Sequence, residues 1–392
     1  MLLTPIVPAP TGNGLAMRSN LFRTAAARAF DVRTVVVPVA GALPAGVPLP
    51  NGAVVVPPDP ARARAGIATL VAERAWRTRL ATAGTMPAGA RAASPGLVDA
   101  VVGALGPVAP AAVHVMRSYL APLGVAVAER LGAPWTTLDL DDDDAALARA
   151  AGDPKEAAAY DRLLAVFCPL FAGLSAASSG EAVAIAARHG VSVQPIRNAV
   201  AIPPEATRRP GPAISLLYVG NLTYAPNVEA ATLLAEEILP EVASRLGQTT
   251  RVTLAGPCDA RVVGLAGANV DVAGFLPDLG PAYASADVVV VPLRVGAGTR
   301  IKLLEAFARD VPVVATRAAA AGLDVVDGRH LLLVDSVRDV PRAVERVVRD
   351  ASLASRLVTE AARLVRERYA IEVVLPEIGA LFERAAGATA TS

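Results

Sequence analysis

Cysteine, histidine, lysine and aromatic side chains are all scarce in this chain, and each scarcity removes a class of function. The two cysteines, Cys168 and Cys258, are too few for a disulfide framework and lack CxxC metal spacing. Both sit in apolar surroundings, AVFCPLF and LAGPCDA, and are expected to be ordinary buried thiols. Aromatic residues make up 4%, which argues against a protein that stacks nucleic-acid bases. The formal net charge is +1, so no global field draws nucleic acid or an acidic partner. No run of roughly eighteen apolar residues occurs, so no membrane-spanning helix is expected. The opening MLLTPIVPAPTGNG lacks the basic stretch and apolar core of a leader, which makes the cytoplasm the expected compartment. The basic charge is almost wholly arginine, and Lys155 and Lys302 are the only lysines.

What the chain does have is length and small apolar residues. At 392 residues it is long for one domain and comfortable for two, and 53% of it is hydrophobic, rich in Ala and Val. Short apolar runs alternate with stretches of helical period. The runs are VRTVVVPVA, GAVVVPP, AAVHVM, APWTTLDL, VSVQPI, ISLLYVG, RVTLAG, VDVAG, ADVVVVPL, VPVVAT and HLLLV. Continuous apolar strands separated by amphipathic helices predict parallel sheets covered on both faces, the doubly wound α/β class.

A break falls at IPPEATRRPGPA, where Pro203, Pro204, Pro210 and Pro212 forbid regular structure. The expected organisation is an N-terminal domain over 1–203, a linker over 204–212, and a C-terminal domain over 213–370. Residues 371–392 form a last helix and frayed tail, the helix folding back on the N-terminal domain, with Pro376 kinking or restarting it. Two such lobes place a ligand cleft between the carboxyl ends of two sheets. Residues 61–80 hold five arginines and one glutamate. They read either as a solvated surface helix or as a basic face for peripheral contact with anionic lipid.

The stretch DVVVVPLRVGAGTRIKLLEAFARDVPVVAT carries the chemistry. It reads strand, glycine loop, helix, strand. Gly296 and Gly298 let backbone approach a ligand, and the helix start at Thr299 offers free amides to an anion. Arg300 and Lys302 lie in that first turn, where cations oppose the helix dipole; a bound diphosphate resolves the conflict. Glu305 is one turn beyond Lys302 on the same face, and a plain Lys–Glu surface pair is the competing reading.

This stretch resembles the donor-site signature of family-4-type glycosyltransferases, the glycosyl transferases group 1, which have the GT-B fold. LLYVGNLTYAPNVEAATLLAEEILP, VDVAGFLPDLGPAYASADVVVVPL and AAAAGLDVVDGRHLLLVD extend the likeness over the C-terminal lobe. The resemblance implies two Rossmann-like domains facing a cleft. It implies that Glu305 binds the ribose hydroxyls, and that Lys302 and Arg300 hold the diphosphate with amides near Gly298 and Thr299. Gly274, Phe275 and Leu276 would frame the base, and Gly220 and Asn221 would approach the phosphates. The family often has a second Glu where this sequence has Ala297.

PAPTGNGLAMRSNLFRTAAARAFDVRTVVV resembles the family's opening strand, loop and first helix. Gly12 and Gly14 would sit over the sugar diphosphate with Arg18 nearby; a simple tight turn is the alternative. Asp139 occupies the place of a family His that touches the transferred sugar, so it is the expected catalytic residue of this lobe beside Lys302 and Arg300. Asp143 and Asp144 read as a helix cap. Arg117 and Tyr119 are acceptor candidates, and His114 reads as a packed core residue. His189 and His330 are expected at the surface. Ser178 or Ser179 would cap a helix.

The expected reaction is glycosyl transfer from a nucleoside diphosphate sugar to an acceptor hydroxyl, of a small molecule, glycan or lipid-linked species. The resemblance implies retention of configuration. No metal and no resident cofactor are expected. Two alternatives stand beside it: a non-hydrolysing nucleotide-sugar epimerase, and a non-catalytic subunit that binds a nucleotide sugar.

Overall fold

The computed structural model describes residues 1–39, 48–58, 85–92, 94–203, 211–294 and 301–390. Among these residues the chain forms two parallel sheets. The first has seven strands in the order β3-β2-β1-β4-β5-β6-β7. These are β1 (Leu2–Thr4), β2 (Thr34–Val36), β3 (Ala53–Val55), β4 (Val113–Met116), β5 (Thr136–Asp139), β6 (Gly173–Ala176) and β7 (Gln194–Pro195). The second has six, in the order β10-β9-β8-β11-β12-β13. They are β8 (Ile214–Val219), β9 (Thr250–Ala255), β10 (Val270–Gly274), β11 (Val288–Val291), β12 (Val313–Thr316) and β13 (Leu332–Val334).

All eleven apolar runs become strands, and among the described residues every pairing between these strands is parallel. The reason is visible in β11, whose four valines are fully buried, as expected for a strand covered on both faces. β1 and β6 come from LLT and GLSA, which are too short or too polar to read as apolar runs. Both sheets reverse direction of strand order once, at β1/β4 and at β8/β11. Ligands bind such sheets outside the carboxyl ends of the strands at that reversal.

The chain divides into two compact units. One is Met1–Pro10, Leu15–Arg197 and Leu375–Ser392; the other is Thr11–Gly14 and Asn198–Val374. The last helix, Ile371–Ala390, runs on through Pro376 rather than restarting. From Leu375 it belongs to the first unit, where Phe382 meets the ring of Phe22 edge-on at 6.4 Å and that of His114 at 5.4 Å. His114 is a core residue, stacked on Phe22 at 4.5 Å, and burial holds its imidazole down at about 3. Phe22, His114 and Phe382 thus pack together in the core of this unit.

The basic segment 61–80 lies outside the described residues. No helix among the described residues is long and apolar enough to cross a membrane. Cys168 is buried as expected, but Cys258 is only half-buried. His330 is buried rather than at the surface, its Nδ1 accepting the Val326 amide at 2.9 Å.

Candidate donor site

In the second unit the carboxyl ends of β8, β9 and β10 meet the first turn of the helix Ile301–Ala308. Three glycines make the approach possible. The Gly220 amide donates to Ala255 O at 2.9 Å, and the Gly256 amide donates to Gly274 O at 2.7 Å. Gly256 has φ of +134°, and a Cβ there would stand 1.8 Å from Gly220 O. Only glycine fits, because both the backbone angle and the carbonyl forbid a side chain. Gly256→Ala is therefore expected to push the Gly220 turn away. The stability cost should be about 1–3 kcal/mol. Thermal unfolding of the variant checks it.

Lys302 reaches this turn. A Cβ on Gly220 would lie 2.9 Å from Lys302 Nζ, so the ammonium occupies the space that glycine leaves. Nζ donates to Asn227 Oδ1 at 3.0 Å and to Tyr218 Oη at 3.2 Å, and sits 4.5 Å from the Tyr218 ring centroid. Tyr218 itself is buried and donates to Asn227 Oδ1 at 2.7 Å. Asn227 Nδ2 donates to Asn221 O at 2.9 Å. Thus Gly220, Asn221 and Lys302 are brought together as the sequence implied. Tyr218, Asn227 and Gly256 complete the group and were not foreseen.

Glu305 is one turn along and buried. Its Oε2 accepts from Tyr283 Oη at 3.2 Å. Burial raises its pKa, with Arg309, the Tyr283 hydroxyl and Lys302 opposing. Gly274 adopts φ of +66° and is followed by Phe275, which is 63% exposed beside half-buried Leu276. An exposed phenylalanine at a strand end leaves a flat apolar face in solvent. Gly296, Gly298, Thr299 and Arg300 lie outside the described residues.

The first unit holds a different arrangement at the ends of β4 and β5. Asp139 and Arg18 are fully buried and bonded to each other. Arg18 Nε donates to Asp139 Oδ2 and Nη2 to Oδ1, both at 2.7 Å, while Nη1 donates to Ile196 O at 2.9 Å. Ser175 Oγ donates to Asp139 Oδ1 at 2.7 Å. This corrects two expectations. Asp139 does not stand open to a sugar, and Arg18 does not stand open to a diphosphate; together they tie the first helix to the ends of β5 and β7.

Arg117 is corrected as well. It adopts φ of 77° and its buried guanidinium pairs with Asp142 at 2.9 Å, Asp141 at 3.2 Å and Asp144. Burial and neighbouring Asp142 push the Asp141 carboxyl up to about 7. Asp143 caps the helix Asp144–Ala150 through the Ala146 amide at 3.0 Å and also pairs with Arg188. The acidic run is therefore a structural network with three arginines and a helix cap. Tyr119 is half-buried, with the Arg117 guanidinium 5.6 Å from its ring centroid. Burial pushes its phenol up to about 12. Gly12 is exposed with φ of +98°, and Gly14 opens the helix Gly14–Ala26. Ser178 caps its helix through the Glu181 amide at 3.2 Å.

Residues 213–350 match the family described as glycosyl transferases group 1. No curated protein sequence matches the chain. Among solved structures, sucrose-phosphate synthase from Thermosynechococcus elongatus superposes over 99% of both chains, with a TM-score of 0.74 at 15% identity. Anabaena HepE in complex with UDP and glucose covers 97% of this chain and 98% of its own, with a TM-score of 0.67 at 15% identity. The lipopolysaccharide outer core galactosyltransferase WaaB, in its apo form, covers 99% and 98%, with a TM-score of 0.58 at 13% identity. The fold is the two-domain parallel α/β architecture of these solved glycosyltransferases, and residues 213–350 are similar to the glycosyl transferases group 1 family.

Proposed function

We propose that the protein transfers a glycosyl group from a nucleoside diphosphate sugar to an acceptor hydroxyl, with retention of configuration and without a metal. The observation that carries the reading is the convergence of Lys302 on the Gly220 turn, with Glu305 one turn beyond, at the strand reversal of a parallel sheet. Lys302 offers a cation to the diphosphate as its charge grows, and Glu305 offers a carboxylate to the ribose. In the step, the bond from the anomeric carbon to the diphosphate oxygen breaks and a bond to the acceptor oxygen forms. The acceptor proton passes to the departing phosphate.

Supporting the metal-free reading, the acidic run is engaged by Arg18, Arg117 and Arg188. Cytoplasmic location and any peripheral membrane contact belong to this proposal. HepE, solved with UDP and with glucose, supports a nucleotide donor. The epimerase alternative needs histidine acid–base groups. His114 is neutral in the core, and His330 accepts a backbone amide, so two of the three histidines are taken.

A panel of UDP-, GDP- and dTDP-sugars tests the reading by thermal shift and turnover. Stabilisation by at least one donor, with release of the diphosphate, is expected. Epimerisation without acceptor, or binding without turnover, would favour the alternatives. Glu305→Gln keeps the shape of the side chain and an acceptor for Tyr283. Loss of its charge should still weaken donor use about 100-fold, since hydrogen bonds to a charged group contribute about 1.5–3 kcal/mol each. Steady-state kinetics at varied donor concentration measure it.

A further inference from the structure

Glu305 can grip two ribose hydroxyls only if its carboxylate plane is fixed. A helix of eight residues, Ile301–Ala308, sets the position of its Cα but leaves three side-chain torsions open. One neighbour fixes them. Tyr283 is fully buried on the helix Gly280–Ser285, and its hydroxyl lies 3.2 Å from Glu305 Oε2. The same hydroxyl is 3.4 Å from Lys302 O. The Tyr283 ring is held in turn, with the Arg309 guanidinium 5.0 Å from its centroid. Arg309 also donates to Glu305 O at 3.4 Å.

We propose that Tyr283 is a positioning residue for the donor: its hydroxyl aims the Glu305 carboxylate at the ribose. The inference rests on the donor-site reading above. Three groups face the carboxylate electrostatically: Lys302 from its own helix, Arg309 from the turn just after it, and Tyr283 from the neighbouring helix. Of these, Tyr283 is the one that hydrogen-bonds an oxygen of the carboxylate directly. Burial and Glu305 hold the phenol well above its usual pKa, so it stays a donor across the working range. A donated hydrogen bond leaves the remaining lone pairs of the carboxylate directed at a ligand.

The test is binding of nucleoside diphosphates to the full chain by calorimetry. UDP, GDP and ADP are compared, and the tightest is paired with its 2′,3′-dideoxy analogue. Tyr283→Phe keeps the buried ring and removes only the hydroxyl. It should weaken the ribose-bearing nucleotide about tenfold and the dideoxy analogue by less than twofold. The Tyr283 bond lowers the Glu305 pKa, so the variant should also shift the acid limb of binding to higher pH. Equal weakening of both probes would mean that the hydroxyl serves the helix start at Lys302, and overturns the positioning role. Unchanged affinity overturns it too. If the wild type binds no nucleoside diphosphate, the donor-site reading falls and takes this inference with it. Glycosyl transfer with intact affinity in the variant would leave that reading standing and remove only the role of Tyr283.

Discussion

Lys302→Met should lower kcat/KM for the donor by about 100- to 1,000-fold, the loss typical when one preorganised charge stabiliser is removed. The fold should hardly notice. Tyr218 Oη already donates to Asn227 Oδ1 at 2.7 Å, so removing the ammonium leaves that pair bonded. The methionine chain fills a similar volume, and its sulfur can rest on the Tyr218 ring where Nζ stood 4.5 Å from the centroid. Melting temperature is therefore expected to stay within a few degrees while turnover collapses. The loss should depend on the ligand. A nucleoside monophosphate should bind the variant nearly as well as the wild type, whereas a diphosphate should not. Wild-type turnover in Lys302→Met would sink the assignment of this lysine to the diphosphate.

Much of this site was legible because its logic is local. A strand of four valines and a helix bearing Lys302 and Glu305 lie within one short stretch, and spacing alone puts the two charges on one face. The cap at Asp143 was legible for the same reason, since a cap joins residues three apart. Gly256, Tyr218 and Asn227 were not. Gly256 matters because β8 and β9 pair in a register that sets it against Gly220, and no local pattern encodes that register. Tyr218 looks like any apolar strand residue until Lys302 is seen to lie 84 positions away in sequence and in contact in space.

The misreading of Asp139 has the same origin and leads to a strong expectation. A carboxylate at the end of a strand looks available; its partner Arg18 lies 121 residues earlier. With both side chains fully buried, the pair works by mutual neutralisation. Burial alone would depress the guanidinium, and Asp139, helped by Asp141 and Asp142, more than restores it. Asp139→Ala would leave a buried cation short of its main counter-charge, which costs about 3–5 kcal/mol. For a unit of this size that corresponds to a fall in melting temperature of roughly 10 °C. Replacing both partners should be milder, so Arg18→Met with Asp139→Leu is expected to recover part of the loss; buried Asp141, 3.3 Å from Arg18 Nε, keeps Arg117 as its counter-charge. Asp139→Asn separates structure from catalysis. If the residue holds the fold, this variant melts early, yet its folded fraction transfers sugar within a few-fold of wild type at low temperature. If instead Asp139 touches the sugar, the turnover of the folded fraction drops as well.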